Sequence, residues 1–234
     1  MEVQAHILPA AILVECEMPK EMVDSLNDYL DDLLKEEDRV SHAGTLVGQI
    51  TQGQQLTMDQ HDSRISEYCS MIEVMAAQYI NHVMKVIGAQ LPGGNRRTEI
   101  DELWSVHSYE GDYNPIHDHG TKTIMGISTT CWTKVPKDIA DNPNTGETGF
   151  SLYNASGHSD GCLAFNYGLN TMADVERLRP PQSATFRPQV GKLLMFPSWL
   201  QHMVWPFKGK EERRTVAANL NAWVENNGEE VNTA

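Results

Sequence analysis

The stretch GKLLMFPSWLQHMVWPF, Gly191 to Phe207, reads as an apolar strand, a Pro-Ser corner and a second strand that carries His202. The same texture extends in both directions. From Glu99 onward, short apolar or alternating runs such as IDELWSVHSY, TIMGISTTCWTKV, FSLYNA, CLAFNY, SATFRPQ and RTVAANLNAWV are separated by Gly, Pro, Asn and Asp. Many short strands with turn signals between them predict an antiparallel barrel or jelly roll. No internal repeat and no clean linker interrupts the chain. The reading is therefore one domain, 1–234, with N-terminal support at 1–98, a β core at 99–224 and a flexible acidic tail at 225–234.

The N-terminal part has a different period. VQAHILPAAILVE suggests one or two short strands around Pro9, and residues 38–62 read as loop with a short strand at TLVGQI. Met22, Val23, Leu26, Tyr29, Leu30 and Leu33 recur at helical spacing, with acidic residues on the other face. A second helix, about Ser63 to Ile87, sets Ile65, Tyr68, Ile72, Met75, Ala76 and Tyr79 on one face, a stripe that reads as core packing. The class is thus α+β, with helices buttressing the β core. LPGGNRR closes the helical half.

Composition narrows the function. Across 234 residues the hydrophobic share of 40% and charged share of 21% are those of an ordinary globular chain, but the net charge is −14. Such a charge repels phosphates and anionic headgroups, which argues against nucleic-acid and membrane-surface roles. Cys16, Cys69, Cys131 and Cys162 are scattered without a CxxC pair, which disfavours structural zinc. ILPAAILVE is too short to span a membrane and has no basic leader, so a cytoplasmic location is the expectation.

The chemistry concentrates in NPIHDHG, Asn114 to Gly120. On a strand, His117 and His119 project to one side, about 6–7 Å apart at Cα, and Asp118 to the other. Two imidazoles so placed can converge on one metal ion, and His202 offers a third ligand. Downstream, strand alternation puts Arg213, Thr215, Ala217 and Asn219 on one face. Arg214, Val216, Ala218 and Leu220, the more apolar set, share the other and should pack on the helices. An arginine buried at the base of a barrel can hold a substrate carboxylate with two parallel hydrogen bonds.

HxH, a long interval, FPSWLQH and then R-x-T-x-A-x-N together resemble the iron(II)- and 2-oxoglutarate-dependent dioxygenases. The prolyl-4-hydroxylase-like branch and its bacterial and phage relatives look closest, over roughly Leu103 to Trp223. The resemblance implies a double-stranded β-helix core, Fe(II), 2-oxoglutarate as co-substrate and O2. It also implies hydroxylation of an unactivated C–H bond in a small molecule or peptide, with succinate and carbon dioxide released. It implies Arg213 for the far carboxylate of 2-oxoglutarate, with Arg214 in reserve and a surface salt bridge to Glu211 or Glu212 as the plain alternative for either. Tyr109, Tyr113, Asn219 and Asn221 are candidates to contact co-substrate or substrate. The sequence departs from the family's usual His-x-Asp/Glu pattern, so the metal set is either His117, His119 and His202, or one in which a bulge turns Asp118 inward. A site of weak or different metal affinity is the third possibility. Two other functions compete: a three-histidine cupin-type enzyme that does not use 2-oxoglutarate, and a non-catalytic jelly-roll module. His107 has a minor claim on the metal and His158 reads as a loop histidine. The segments PKDIADNPNTGETG and YGLNTMADVERLRPPQ read as surface loops that can border the site.

Overall fold

The computed structural model describes residues 11–45, 48–88, 95–123, 125–141, 157–168, 183–226 and 229–231. The N-terminal half consists of β1 (Val14–Glu17), α1 (Lys20–Leu33), β2 (Gln54–Thr57) and α2 (Ser66–Ile87). The helical periods translate into burial. Val23, Leu26, Tyr29 and Leu30 face inward on α1, and Tyr68, Cys69, Ile72, Ala76, Tyr79 and Ile80 on α2. α2 starts at Ser66 rather than Ser63, because Asp62 holds the preceding turn by accepting the backbone N–H of Arg64 at 2.9 Å. Its far end stops at Gly88, whose φ of 68° suits the left-handed C-cap.

Of the strand expected at TLVGQI, residues 46 and 47 lie outside the described residues, and Gln49 makes an isolated antiparallel bridge to Tyr113 rather than joining a sheet strand. β2 lies at Gln54–Thr57 instead, and its Leu56 is the one residue of the four that is buried. A short edge strand with a single apolar contact leaves almost no alternation to read. The region around Pro9, the run FSLYNA and most of the two long loop segments fall outside the described residues.

The second half supplies β3 (Asn95–Ser108), β4 (Asn114–His117), β5 (Ile127–Lys134), α3 (Lys137–Ala140), β6 (Leu163–Asn166), β7 (Ser183–Phe186), β8 (Lys192–Pro197), β9 (Gln201–Val204), β10 (Arg213–Asn226) and β11 (Glu229–Val231). Among the described residues these strands form two antiparallel sheets. One has the order β1-β8-β5-β10-β3-β2, with β11 beside β10; the other has the order β4-β9-β6-β7. The segment expected to fray as a tail thus carries a short strand, with Val231 opposite Val224.

β10 is paired on both sides, to β3 and to β5, so its two faces are fixed by ladders rather than by chance. Val216, Ala218, Leu220 and Ala222 enter a core with α1 and α2. A second core, Trp132, Leu163, Phe165, Leu194, Phe196 and Leu200, sits between the two sheets and floors the cavity. Opposite Asn219 and Leu220 the register of β3 slips, passing from Glu102 to Ile100 and leaving Asp101 without a partner on β10. The bulge lets Ile100 and Leu103 both join the helix-side core. Among the described residues no helix is long and apolar enough to cross a membrane.

Candidate metal centre

His117 ends β4 and stands directly opposite His202 of β9 in the ladder. His119 lies two residues past the strand, so alternation alone does not position it. Two backbone hydrogen bonds do. The His119 N–H donates to the carbonyl of Ser198 at 3.0 Å, and the Ser198 N–H donates to the carbonyl of Gly126, also at 3.0 Å. The Pro-Ser corner before β9 thus holds the loop after β4. A side chain on Gly126 would collide with Thr121 and Ser198, so the close approach requires glycine there. The loop is pinned again by buried Asn221, whose Oδ1 accepts the N–H groups of Lys122 (2.9 Å) and Thr123 (3.2 Å).

The result is a cluster of one ring nitrogen each from His117, His119 and His202, all within 4.8 Å of one another. His119 Nε2 and His202 Nε2 are 3.2 Å apart, a spacing that suits a shared proton or a shared cation. His202 donates its Nδ1–H to the carbonyl of Leu200 at 2.9 Å, and His117 its Nδ1–H to that of Pro115 at 2.7 Å. A carbonyl on Nδ1 fixes the tautomer and leaves the Nε2 lone pair for a metal. Burial, aided by neighbouring His117, depresses His202 to about 3 and His119 to about 4. Both are therefore neutral at pH 7. Phe196 and Phe165 wall His202, with ring centroids 5.0 and 5.8 Å away, and Trp104 lies 5.5 Å from His119. Such a donor set, imidazoles in a half-dry cleft, fits a divalent first-row metal such as iron(II). Asp118 is exposed and stands outside the cluster.

A cavity of about 1120 Å³ opens from this cluster, and Arg213, Thr215 and Ala217 line it, as β10 alternation requires. Arg213 is 3% exposed, and among the described residues its guanidinium has one polar contact, Nε donating to the carbonyl of Gly161 at 3.0 Å. It has no carboxylate partner among the described residues. Burial lowers it to about 10, which leaves it a cation at neutral pH. Arg214, 1% exposed, is committed elsewhere: it reaches Glu212 at 2.8 Å, Asp31 at 2.6 Å and Asn27 at 3.2 Å. The salt bridge weighed for either arginine is thus found at Arg214, with the guanidinium and Glu212 largely buried and Asp31 half-exposed.

Three other candidates are placed differently from the expectation. Asn219 is buried, but its amide is taken up by Ser128 (2.8 Å) and Glu102 (3.1 Å), and Asn221 holds the loop described above. Tyr109 does not line the cavity. Burial raises its phenol, which also feels the charges of Glu212 and Arg214. Tyr113 does line the cavity. His107 is tied to Glu212 at 2.5 Å and Ser105 at 2.9 Å, away from the cluster, and His158 lies in a turn. Two cavity residues, Asn114 and Trp104, were not foreseen. Asn114 Nδ2 donates to His117 Nε2 at 3.1 Å, a contact that a bound metal would replace. Only its place three residues before His117 hinted at this.

A family model described as "Putative 2OG-Fe(II) oxygenase" matches residues 102–219. Among solved structures, a Pseudomonas putida prolyl-4-hydroxylase superposes with a TM-score of 0.54 at 13% identity, over 89% of this chain and 91% of that one. HygX from Streptomyces hygroscopicus, solved with nickel and 2-oxoglutarate bound, gives 0.53 at 9% identity, over 91% and 83%. The alpha-ketoglutarate-dependent carbocyclase SnoK of nogalamycin biosynthesis gives 0.55 at 11%, over 92% and 82%. No curated protein matches the chain. At such identities the structures speak for the fold alone, and that fold is the double-stranded β-helix: the two sheets described above are its walls.

Proposed function

Because this chain belongs to the 2OG-Fe(II) oxygenase family, and so is a 2-oxoglutarate-dependent oxygenase using Fe(II), 2-oxoglutarate and O2, we propose that it hydroxylates an unactivated C–H bond from a three-histidine iron centre. His117, His119 and His202 would hold the metal and Arg213 the far carboxylate of the ketoacid. When bound, iron(II) supplies the chelation point for 2-oxoglutarate and the activation of dioxygen, so that R–H, O2 and 2-oxoglutarate become R–OH, succinate and CO2. The observation that carries the reading is the pairing, in one cavity, of the histidine cluster with a buried guanidinium that has no carboxylate partner among the described residues.

The chain's own residues supply the rest. Pro115 and Leu200 carbonyls keep Nδ1 protonated on His117 and His202, so that Nε2 faces the cluster. Phe165, Phe196 and Leu163 exclude water on one side, which strengthens every charge interaction inside. Arg213 offers a fixed planar donor set that a carboxylate can accept without reorganisation. Three imidazoles leave the metal its full +2 charge, whereas a carboxylate ligand would reduce it, and the stronger field favours the anionic ketoacid.

The test is anaerobic reconstitution with iron(II) followed by 2-oxoglutarate. A metal-to-ligand absorption band is expected with the native protein and is expected to vanish in His202→Ala. If the native protein gives no band and binds no ketoacid, the reading fails.

A further inference from the structure

Asn114 reaches the metal cluster through a departure from strand alternation. Three residues apart on β4, Asn114 and His117 would project to opposite faces of a regular strand, yet both line the cavity. The ladder with β9 explains this. Asn114 stands opposite Val204 and His117 opposite His202, so Pro115 and Ile116 share the place of one partner residue. The extra residue re-aims the strand and brings both side chains to one side, while Ile116 is left exposed. Proline suits such a position because it has no N–H to lose from the ladder. The orientation of the amide is also set. His117 gives its Nδ1–H to the Pro115 carbonyl at 2.7 Å, so Nε2 of the neutral ring accepts, and Asn114 Nδ2 is the donor at 3.1 Å. Residues 48–51 back this side chain. Gln49 and Tyr113 exchange N–H···O bonds at 3.1 and 3.0 Å, and the Thr51 N–H donates to buried Asp112 at 2.8 Å. A Cβ on Gly48 would fall 2.9 Å from both Cα and Oδ1 of Asn114, so the segment lies against the oxygen side of the amide.

We propose that Asn114 is a co-substrate-binding residue, whose Nδ2–H passes from His117 to the metal-side carboxylate of 2-oxoglutarate when the centre is loaded. The inference rests on the oxygenase reading above and adds a residue to that same site. A metal on His117 Nε2 takes the lone pair that now accepts the amide hydrogen. Among the described residues His117 is the one hydrogen-bond partner of Nδ2, so the donor is then stranded beside the cluster. A stranded donor in a half-buried site costs free energy until another acceptor replaces the first. The ketoacid brings one, and a hydrogen bond to an ionised carboxylate is stronger than one between neutral groups. Arg213 and Asn114 then hold the two carboxylates of one molecule. A neutral amide suits this place, because an acid beside the cluster would repel the ketoacid.

The full-length protein and two variants are titrated anaerobically, first with iron(II) and then with 2-oxoglutarate, and the absorption band is followed. Asn114→Leu keeps the volume and branching of the side chain but has no N–H. It is expected to bind the metal as well as the native protein or better, since the competing bond to His117 is gone. Its affinity for the ketoacid should fall about tenfold, the worth of a hydrogen bond to a charged acceptor, and its band should be displaced in wavelength. Asn114→Asp keeps the amide's shape, replaces the donor by a negative acceptor, and should weaken the ketoacid at least as much as leucine does. If Asn114→Leu binds metal more tightly while ketoacid affinity and band stay native, Asn114 only caps the metal-free His117 and the inference is wrong. Metal affinity that falls together with ketoacid affinity in Asn114→Leu would show a structural role and overturn it equally. Native ketoacid affinity in Asn114→Asp also overturns it, and in each of these outcomes the band of the native protein leaves the oxygenase reading standing. If the native protein gives no band, the oxygenase reading falls and takes this one with it.

Discussion

Arg213 and Arg214 are chain neighbours, both almost fully buried, and opposite in every other respect. The first points into the cavity, where among the described residues only the Gly161 carbonyl receives it; the second points toward α1 and is enclosed by Glu212, Asp31 and Asn27. A buried cation that is paired belongs to the scaffold, whereas one left unpaired at a cavity is stable only if something anionic completes it. One strand, β10, thus has a structural face and a ligand face one residue apart. The contrast can be broken experimentally from either side.

The largest effect belongs to the structural face. Arg214→Ala leaves Glu212 and Asp31 without their shared partner, and Lys134, at 3.1 Å from Asp31 and 3.5 Å from Glu212, only partly compensates. Removing one member of a buried ion pair costs about 3–5 kcal/mol, which denaturant unfolding would register. The folded fraction should still bind 2-oxoglutarate normally. An equal loss of ketoacid affinity in Arg214→Ala and in Arg213 variants would erase the distinction between the faces.

Acid should attack the same network. Burial by itself raises Glu212, but hydrogen bonds from His107 and Arg214, together with their charges, outweigh it and hold the carboxyl at about 2. The folded value lies below the ordinary 4.5, so the stabilisation is complete above pH 4.5 and drains away as pH falls toward about 2. That difference is worth about 3 kcal/mol. Glu212→Gln should be less stable at pH 7 and should show a flatter decline between pH 4.5 and 2. A decline as steep as the native protein's would assign the acid sensitivity to other groups.

On the ligand face, Arg213→Met should weaken 2-oxoglutarate by about a hundredfold, the cost of truncating one partner of a buried, hydrogen-bonded charge pair. Without ketoacid its melting temperature should be unchanged or higher, since a buried cation with no carboxylate partner among the described residues gives way to an apolar side chain. Anaerobic titration of the absorption band and thermal unfolding measure the two separately. A marked fall in stability with intact affinity would reverse the roles assigned to the two arginines.

The alternation that separates these arginines was legible because β10 is paired on both edges and keeps a strict two-residue period over its inward and outward sets. The helices were legible for the same reason at a period of 3.6. What the sequence concealed depends on partners far along the chain. β2 contributes one buried leucine, the bulge at Asp101 has no compositional mark, and Tyr109 turns away because Asp112 captures its backbone N–H at 2.9 Å. The histidines come together as strand alternation expected, yet His119 lies beyond β4 and owes its place to Ser198 and Asn221, roughly 80 and 100 residues downstream in the chain.

Asn221 therefore qualifies the contrast between faces, because it shares the inward parity of Arg213 and yet serves the scaffold. Its Oδ1 only accepts, from the N–H groups of Lys122 and Thr123 and from the Thr123 hydroxyl. Asn221→Ala should release the loop that presents His119 and lower metal affinity by about tenfold, the lower end of the range for groups that orient metal ligands. Asn221→Asp keeps an acceptor oxygen in place and should recover most of that loss. A cobalt(II) titration followed by visible absorption reads both affinity and ligand geometry without turnover. If alanine leaves the affinity and the spectrum as they were, the corner at Ser198 alone positions His119, and Asn221 returns to the list of groups free to meet a substrate.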